Sequence, residues 1–189
     1  MSKEDLLKQI ENEIKNCNGC ELCKTAKNPV FGEGNSNADI AFIGEAPGAT
    51  EDTTGRPFVG RAGKLVESLL AEIGMQRTDV WIGNIIKHRP PKNRDPLPLE
   101  IEACEPYLTR QLEAINPKLI VTLGRFAMNY FYADGMISKD HGNLIEINGR
   151  YVFPLYHPAA GLRNGKMLTA FKNDFAKIPD VLEKINLKG

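Results

Sequence analysis

Apolar residues at Leu6, Leu7, Ile10 and Ile14 recur at helical spacing and predict an N-terminal helix that ends where a cysteine-rich run begins. After an irregular stretch punctuated by Pro29, Gly32 and Gly34, the run Ile40, Ala41, Phe42, Ile43 predicts a strand over 39–44. A long loop follows, then an amphipathic helix over 61–73 carried by Leu65, Val66, Leu69, Leu70 and Ile73. A second strand over 79–86, with Val80, Ile82 and Ile85, runs into HRPPKNRDPLP, whose prolines exclude helix until residue 98. Cys104, Leu108, Leu112 and Ile115 place a helix over 98–115 with Pro117 at its exit. Leu119 to Leu123 reads as the third strand, followed by a short helix over 124–132, a hairpin turn at Asn148-Gly149, a strand ending at His157 and a final helix over 169–185. Such alternation predicts an α/β fold, a three-layer α/β/α sandwich around a mainly parallel four-stranded sheet. Ligands bind at the carboxyl ends of the strands in sheets of this kind, so the loop after the first strand, Asn84, the loop after Lys87 and His157 are expected to converge.

The 189 residues with 42% hydrophobic content suit one domain over 1–189 with a full core. No apolar stretch approaches the roughly 18 residues of a membrane span, and the N-terminus is charged and helix-patterned, so a soluble cytoplasmic monomer is expected. Formal net charge is zero, which removes wholesale attraction to nucleic acid and leaves any such binding to local clusters. Two clusters qualify: Lys87, Arg89, Lys92 and Arg94 in the proline-rich loop, and Arg163, Lys166 and Lys172 after His157-Pro158. Taken alone, each also reads as solvated surface charge.

The segment GEAPGATEDTTGRPFVGRAG, Gly44 to Gly63, is where the first strand stops. It combines five glycines with Glu45, Glu51, Asp52, two prolines and Phe58, which sets polar and aromatic groups on stiff backbone. A phosphate cradle would end in Gly-Lys-Ser/Thr, and carboxylates here would repel an anion, so a pocket for a flat polar ring fits better. The plainer alternative is an ordinary glycine-rich strand-to-helix turn.

Cytosolic thiols stay reduced, so Cys17, Cys20, Cys23 and Cys104 read as metal or cluster ligands rather than disulfides. Zinc and an iron-sulfur cluster both want four ligands. Cys17, Cys20 and Cys104 supply three, and either Cys23 or His88 can supply the fourth; composition does not choose between the two, nor between the two metals.

GEAPGATEDTTGRPFVGRAG, GNIIKHRPPKNRDPLP and YHPAAGLRN, in this order, resemble the motifs of family 4 uracil-DNA glycosylases, and the resemblance runs from about Cys17 to the final helix. It implies the uracil-DNA glycosylase fold, a 4Fe-4S cluster on Cys17, Cys20, His88 and Cys104, and uracil-containing DNA, single- or double-stranded, as partner. At position 88 the family usually has cysteine; a histidine ligand there occurs in a related branch that bonds covalently to uracil-containing DNA. That branch carries an inserted basic loop with a histidine nucleophile, whereas Arg89 to Ala103 is short and holds no histidine, so covalent capture is not predicted. The resemblance further implies that Glu45 places or activates water, that Ala46 stands beside uracil through its backbone, and that Phe58 stacks on the base. Glu51 then guards uracil C5 against a thymine methyl, Asn84 reads N3 and O4, and His157 faces O2. Lys87, Arg89 and Arg163 are expected to contact DNA, with Leu162 as a candidate wedge.

These residue types suit the reaction. Cleaving deoxyribose from uracil creates a cationic sugar and a uracil anion, and one preorganised donor at O2 contributes on the order of 3 kcal/mol. The target bond is inaccessible inside a duplex, so the nucleotide must be everted at a cost of a few kcal/mol, part of which an aromatic platform returns. Stacking does not distinguish bases. An amide that meets N3-H and O4 does, because cytosine reverses both demands and leaves buried polar groups mismatched. Competing readings are a non-catalytic or covalently capturing uracil-DNA-binding member of the superfamily, and an electron-transfer iron-sulfur protein.

Overall fold

In a computed structural model, which describes residues 2–187, the chain forms one six-stranded sheet in the order β1-β3-β2-β4-β6-β5 with helices on both faces. The elements are α1 (Lys3–Lys15), β1 (Glu33–Gly34), β2 (Ile40–Gly44), α2 (Ala49–Thr54), α3 (Arg61–Glu72), β3 (Trp81–Asn84), α4 (Pro98–Ile115) and β4 (Leu119–Leu123). They continue through α5 (Arg125–Phe131), α6 (Ile137–Asp140), β5 (Ile145–Ile147), β6 (Arg150–Leu155), α7 (Pro158–Gly161), α8 (Gly165–Phe175) and α9 (Ile178–Asn186). The four central strands are parallel, as expected, and two short antiparallel edge strands raise the total to six. One of these is the first arm of the hairpin at Asn148-Gly149; the other, β1, has no apolar alternation to announce it. No helix among the described residues is long and apolar enough to cross a membrane.

Alternation along the strands sorts the core into two layers. Ile40 and Phe42 of β2, Leu119, Val121 and Leu123 of β4 and Phe153 of β6 face Val66, Leu69 and Leu70 of α3 and Phe171, Phe175 and Ile178 of α8 and α9. Ala41 and Ile43, Ile120 and Val152 face the other way, onto Leu7 of α1 and Leu108, Leu112 and Ile115 of α4. Arg110 and Glu13 pair across α1 and α4. Pro98 opens α4 at a position where its missing N–H costs nothing, and Asn116 closes it in the left-handed conformation. The chain leaves β2 toward β3 on one side and reaches β4 on the other, which makes the β2/β4 crevice a topological switch point.

Candidate active site

Because β2, β3, β4 and β6 are parallel, the loops after Gly44, Asn84, Leu123 and Leu155 all leave the same edge of the sheet. A cleft of about 430 Å³ lies there, lined by Glu45, Ala46, Glu51 and Phe58 from the first loop, Asn84 from β3, and His157 and Arg163 from the last. Glu45, Ala46, Glu51, Phe58, Asn84 and His157, which the sequence placed around a flat polar ring, are in this one cavity.

Gly44 is what allows Phe58 and Asn84 to meet. A Cβ at that position would stand 2.4 Å from Phe58 Cζ and 2.6 Å from Asn84 Oδ1, so any other residue would push the ring or the amide away. Phe58 itself adopts φ 49°, a left-handed conformation that side chains other than glycine and asparagine seldom take and that needs support from its surroundings. Asn84 pairs with Gly44 in the sheet register, is 1% exposed, and has no hydrogen-bond partner for its Oδ1. A buried, unpaired amide oxygen costs about 1–3 kcal/mol unless something docks on it, which marks the group as one held ready for a ligand.

His157 is the N-cap of α7, and its Nδ1 accepts the Ala159 N–H at 3.1 Å. A neutral ring so bonded carries its proton on Nε2. Burial, helped by the Arg163 charge, pushes His157 down to about 4, so the imidazole is a neutral donor at ordinary pH. Its ring centroid is 6.2 Å from that of Phe58, tilted by 32°. Glu51 Oε1 accepts the N–H groups of Val59 (2.9 Å) and Gly60 (2.7 Å), which seats the carboxylate at the N-terminus of α3 and fixes the backbone next to Phe58. Asp52 is not part of the cleft; it is buried and accepts the Lys27 N–H at 2.8 Å, anchoring α2 to the segment before β1.

Glu45 is half-buried, and burial lifts its carboxyl above the usual range. Asp95 adds to the lift and Arg125 opposes it. Those two groups form an ion pair at 2.7 Å between the proline-rich loop and the start of α5. Neither was singled out from the sequence, because pairing across 30 residues leaves no local trace.

Three of the four expected DNA contacts have side chains at or near the surface. Leu162 is 38% exposed, Arg163 is exposed on the cleft rim, and the half-buried Arg89 donates to Asn93 Oδ1 at 2.7 Å. Lys87 is a correction. It is fully buried, its Nζ donates to the Asn84 carbonyl (2.9 Å) and to Gln111 Oε1 (2.7 Å), and it cannot reach a phosphate. Burial pulls its ammonium down to about 8. Following Ile85 and Ile86, both fully buried, the chain is still inside the protein at residue 87, and the aliphatic stem of lysine follows it.

The cysteines divide by hydrogen-bond role. Cys17 Sγ accepts the Gly19 N–H at 3.5 Å and Cys104 Sγ that of Lys87 at 3.4 Å. Cys23 Sγ instead donates to the Cys20 carbonyl at 3.0 Å. Cys104 is pushed up to about 11, chiefly by burial, with Cys20 and Cys17 adding smaller electrostatic contributions. His88 is 5% exposed and its Nδ1 has no partner. Among the described residues, no group of three or more His, Cys, Asp and Glu side chains is gathered tightly enough to hold a metal ion.

Two further residues hold the site without lining it. Arg77, in the 3-10 turn Arg77–Asp79, donates to the Phe58 and Pro57 carbonyls, and its Nε meets Glu33 of β1. The sequence carries no signal for either.

Comparison with known proteins gives a consistent picture. The family described as the Uracil DNA glycosylase superfamily matches residues 31–182. A Type-4 uracil-DNA glycosylase of Saccharolobus solfataricus is 46% identical over 190 residues, covering 94% of this chain and 87% of that protein. One from Archaeoglobus fulgidus is 46% identical, with 94% of each chain covered, and one from Thermotoga maritima is 47% identical, with 86% of each covered.

Proposed function

The chain belongs to the uracil DNA glycosylase superfamily, and from that membership we propose that it excises uracil from DNA by hydrolysing the N-glycosidic bond of deoxyuridine, leaving an abasic site. The observation that carries the reading to this chain's own residues is the shared cavity of Phe58, Asn84 and His157, with the Asn84 amide oxygen buried and unpaired inside it.

An everted uracil lies on the Phe58 ring, which returns about 1–3 kcal/mol of the stacking lost on leaving the duplex. Asn84 Oδ1 accepts N3-H and the amide nitrogen donates to O4. The His157 Nε2–H donates to O2. Glu45, as carboxylate, takes a proton from water as the water oxygen bonds to C1′; the C1′–N1 bond breaks, and its electron pair leaves on uracil, spread over N1 and O2. A neutral imidazole suits this step better than a cation, because its donor strength matches the weakly basic O2 and it holds its proton throughout. Ala46 borders the slot, and Glu51, anchored on the Val59 and Gly60 amides, excludes a methyl at C5. On the rim, Arg163 and Arg89 meet phosphates, and Leu162 fills the space the base vacates.

Cys17, Cys20, His88 and Cys104 would hold a 4Fe-4S cluster, which supplies a rigid cross-link between the segment after α1, the loop after β3 and α4. Two sulfurs that accept backbone N–H groups, those of Cys17 and Cys104, and a buried imidazole nitrogen without a partner support this ligand set. Cys23, committed as a donor to a carbonyl, is the weaker fourth ligand.

The decisive experiment incubates the purified protein with single- and double-stranded oligonucleotides bearing one uracil. Release of free uracil and alkali-labile strands is expected; inertness toward both substrates overturns the proposal.

A further inference from the structure

We propose that Arg77, seated on Glu33, is a positioning residue that sets the height of the Phe58 ring over the base slot, an inference that rests on the glycosylase reading of the same cavity. Phe58 has no regular secondary structure to hold it. It sits between α2 and α3 at φ 49°, and nothing local enforces that angle in a residue with a Cβ. Two contacts from elsewhere do. From below, Gly63 brings α3 so close that a Cβ there would stand 1.8 Å from the Phe58 carbonyl oxygen. From the side, the Arg77 guanidinium donates through Nη1 to that same oxygen at 2.9 Å and through Nη2 to the Pro57 carbonyl. One planar fork thus fixes two successive peptide units.

The fork is itself fixed. Arg77 Nε meets Glu33 Oε1 at 2.5 Å, and Arg56 closes the other side of the carboxylate with Nε on Oε2 and Nη2 on Oε1, both at 2.9 Å. Only 12% of the Arg77 side chain is exposed, so its bonds compete little with water. Glu33 lies on β1 opposite Ile82 of β3, the strand that ends in Asn84. The platform that carries the base and the amide that reads it are therefore referenced to the same strand. A slack Phe58 would leave recognition by Asn84 intact and weaken everything that depends on a base lying flat.

Arg77→Met keeps the stem and removes the fork; Arg77→Lys restores one donor; Phe58→Leu removes the platform. Each variant, and the Arg77→Met/Phe58→Leu pair, is assayed for uracil release and for inhibition by free uracil, with melting followed in parallel. Arg77→Met is expected to weaken inhibition by uracil and lower kcat/KM, each by about ten-fold, with Arg77→Lys recovering part of both and the preference for uracil over cytosine unchanged. In the Phe58→Leu background the same change is expected to cost less than about two-fold, because the ring it positions is gone. A lower melting temperature with unaltered inhibition by uracil, or an Arg77→Met effect of equal size in both backgrounds, overturns the clamp while leaving the glycosylase reading intact. An inactive wild-type protein overturns both. Should Arg77→Met fail to fold, Glu33→Gln, which loosens the same fork from its far side, is expected to give the same pattern at smaller amplitude, and its absence counts equally against the proposal.

Discussion

The Lys87 ammonium donates at 2.9 Å to the carbonyl oxygen of Asn84, a residue that lines the cleft, and shares its charge with Gln111 Oε1 at 2.7 Å. Gln111 donates onward to the Phe31 carbonyl at 2.8 Å, so a buried polar chain joins α4 to the end of β3. This cation belongs to the scaffold of the pocket rather than to the DNA interface. DNA affinity measured against salt separates the two roles, since each phosphate contact adds about one unit to the slope of log Kd on log salt. Arg163→Gln is expected to lower that slope by about one. Lys87→Met should leave it unchanged while reducing unfolding free energy by about 1–3 kcal/mol, the cost of stranding two buried acceptors. A smaller slope for Lys87→Met would return the residue to the interface.

The pH dependence of excision should report Glu45. A carboxyl that burial and Asp95 hold above its ordinary value serves as base only when deprotonated, so kcat/KM should fall as pH drops through that raised value. His157, held down to about 4, keeps the same neutral form across this range and does not set the limb. Asp95→Asn removes the charge that lifts Glu45 and frees Arg125, which opposes the lift, so both changes move the acid limb to lower pH. Glu45→Gln should flatten the limb and lower the rate by about 10² to 10⁴. An acid limb that Asp95→Asn leaves in place, or moves upward, contradicts the assignment.

Much of this architecture was legible in the chain, for reasons that differ by element. The expected bounds of α4 and β4 coincide with the observed ones because Pro98 and Pro117 punctuate runs of clear periodicity. The expected last helix is two, α8 and α9: apolar spacing continues across the break at Ala176–Lys177, and Pro179 in the first turn of α9 marks the new start. α2, reading ATEDTT, is rich in threonine and poor in apolar residues, so nothing distinguished it from loop. Glu45, Asn84 and His157 were readable because each follows or ends a strand and topology brings strand ends together, whereas Phe58, in the loop between α2 and α3, was readable only from the motif around it. Lys87 was not, since a lysine beside Arg89 looks like surface until Gln111, 24 residues away, is seen to cover it. Arg77 and Glu33, 44 residues apart, are the same case: pairings made by the fold alone.

Base choice should rest on the Asn84 amide. Replacing it in Asn84→Asp removes the donor that meets O4 and offers an acceptor, which is what the N4 amino group of cytosine requires. Mismatched hydrogen bonds in a buried slot cost far more than a lost apolar contact. Uracil excision is expected to fall by at least about 10², and the ratio of uracil to cytosine excision by more than that, when both oligonucleotides are assayed under single-turnover conditions. An unchanged ratio would move recognition elsewhere in the cavity.

The hydrogen-bond roles of the cysteines make the proposed cluster ligands separable by colour. Cys104 is 2% exposed, accepts the Lys87 N–H and lies in the layer between α1, α4 and the sheet, so water has little access to this position to replace a missing ligand. Cys104→Ala should therefore yield colourless protein, with iron and sulfide lost together. His88→Ala should bleach it too, or leave a cluster that loses iron within a purification. Cys23→Ala removes a thiol that donates to a carbonyl and should keep both the visible absorption and about four irons per chain. The inverse result, a brown His88→Ala protein and a bleached Cys23→Ala protein, would mean that Cys23 turns from the Cys20 carbonyl to the iron when the cluster is built.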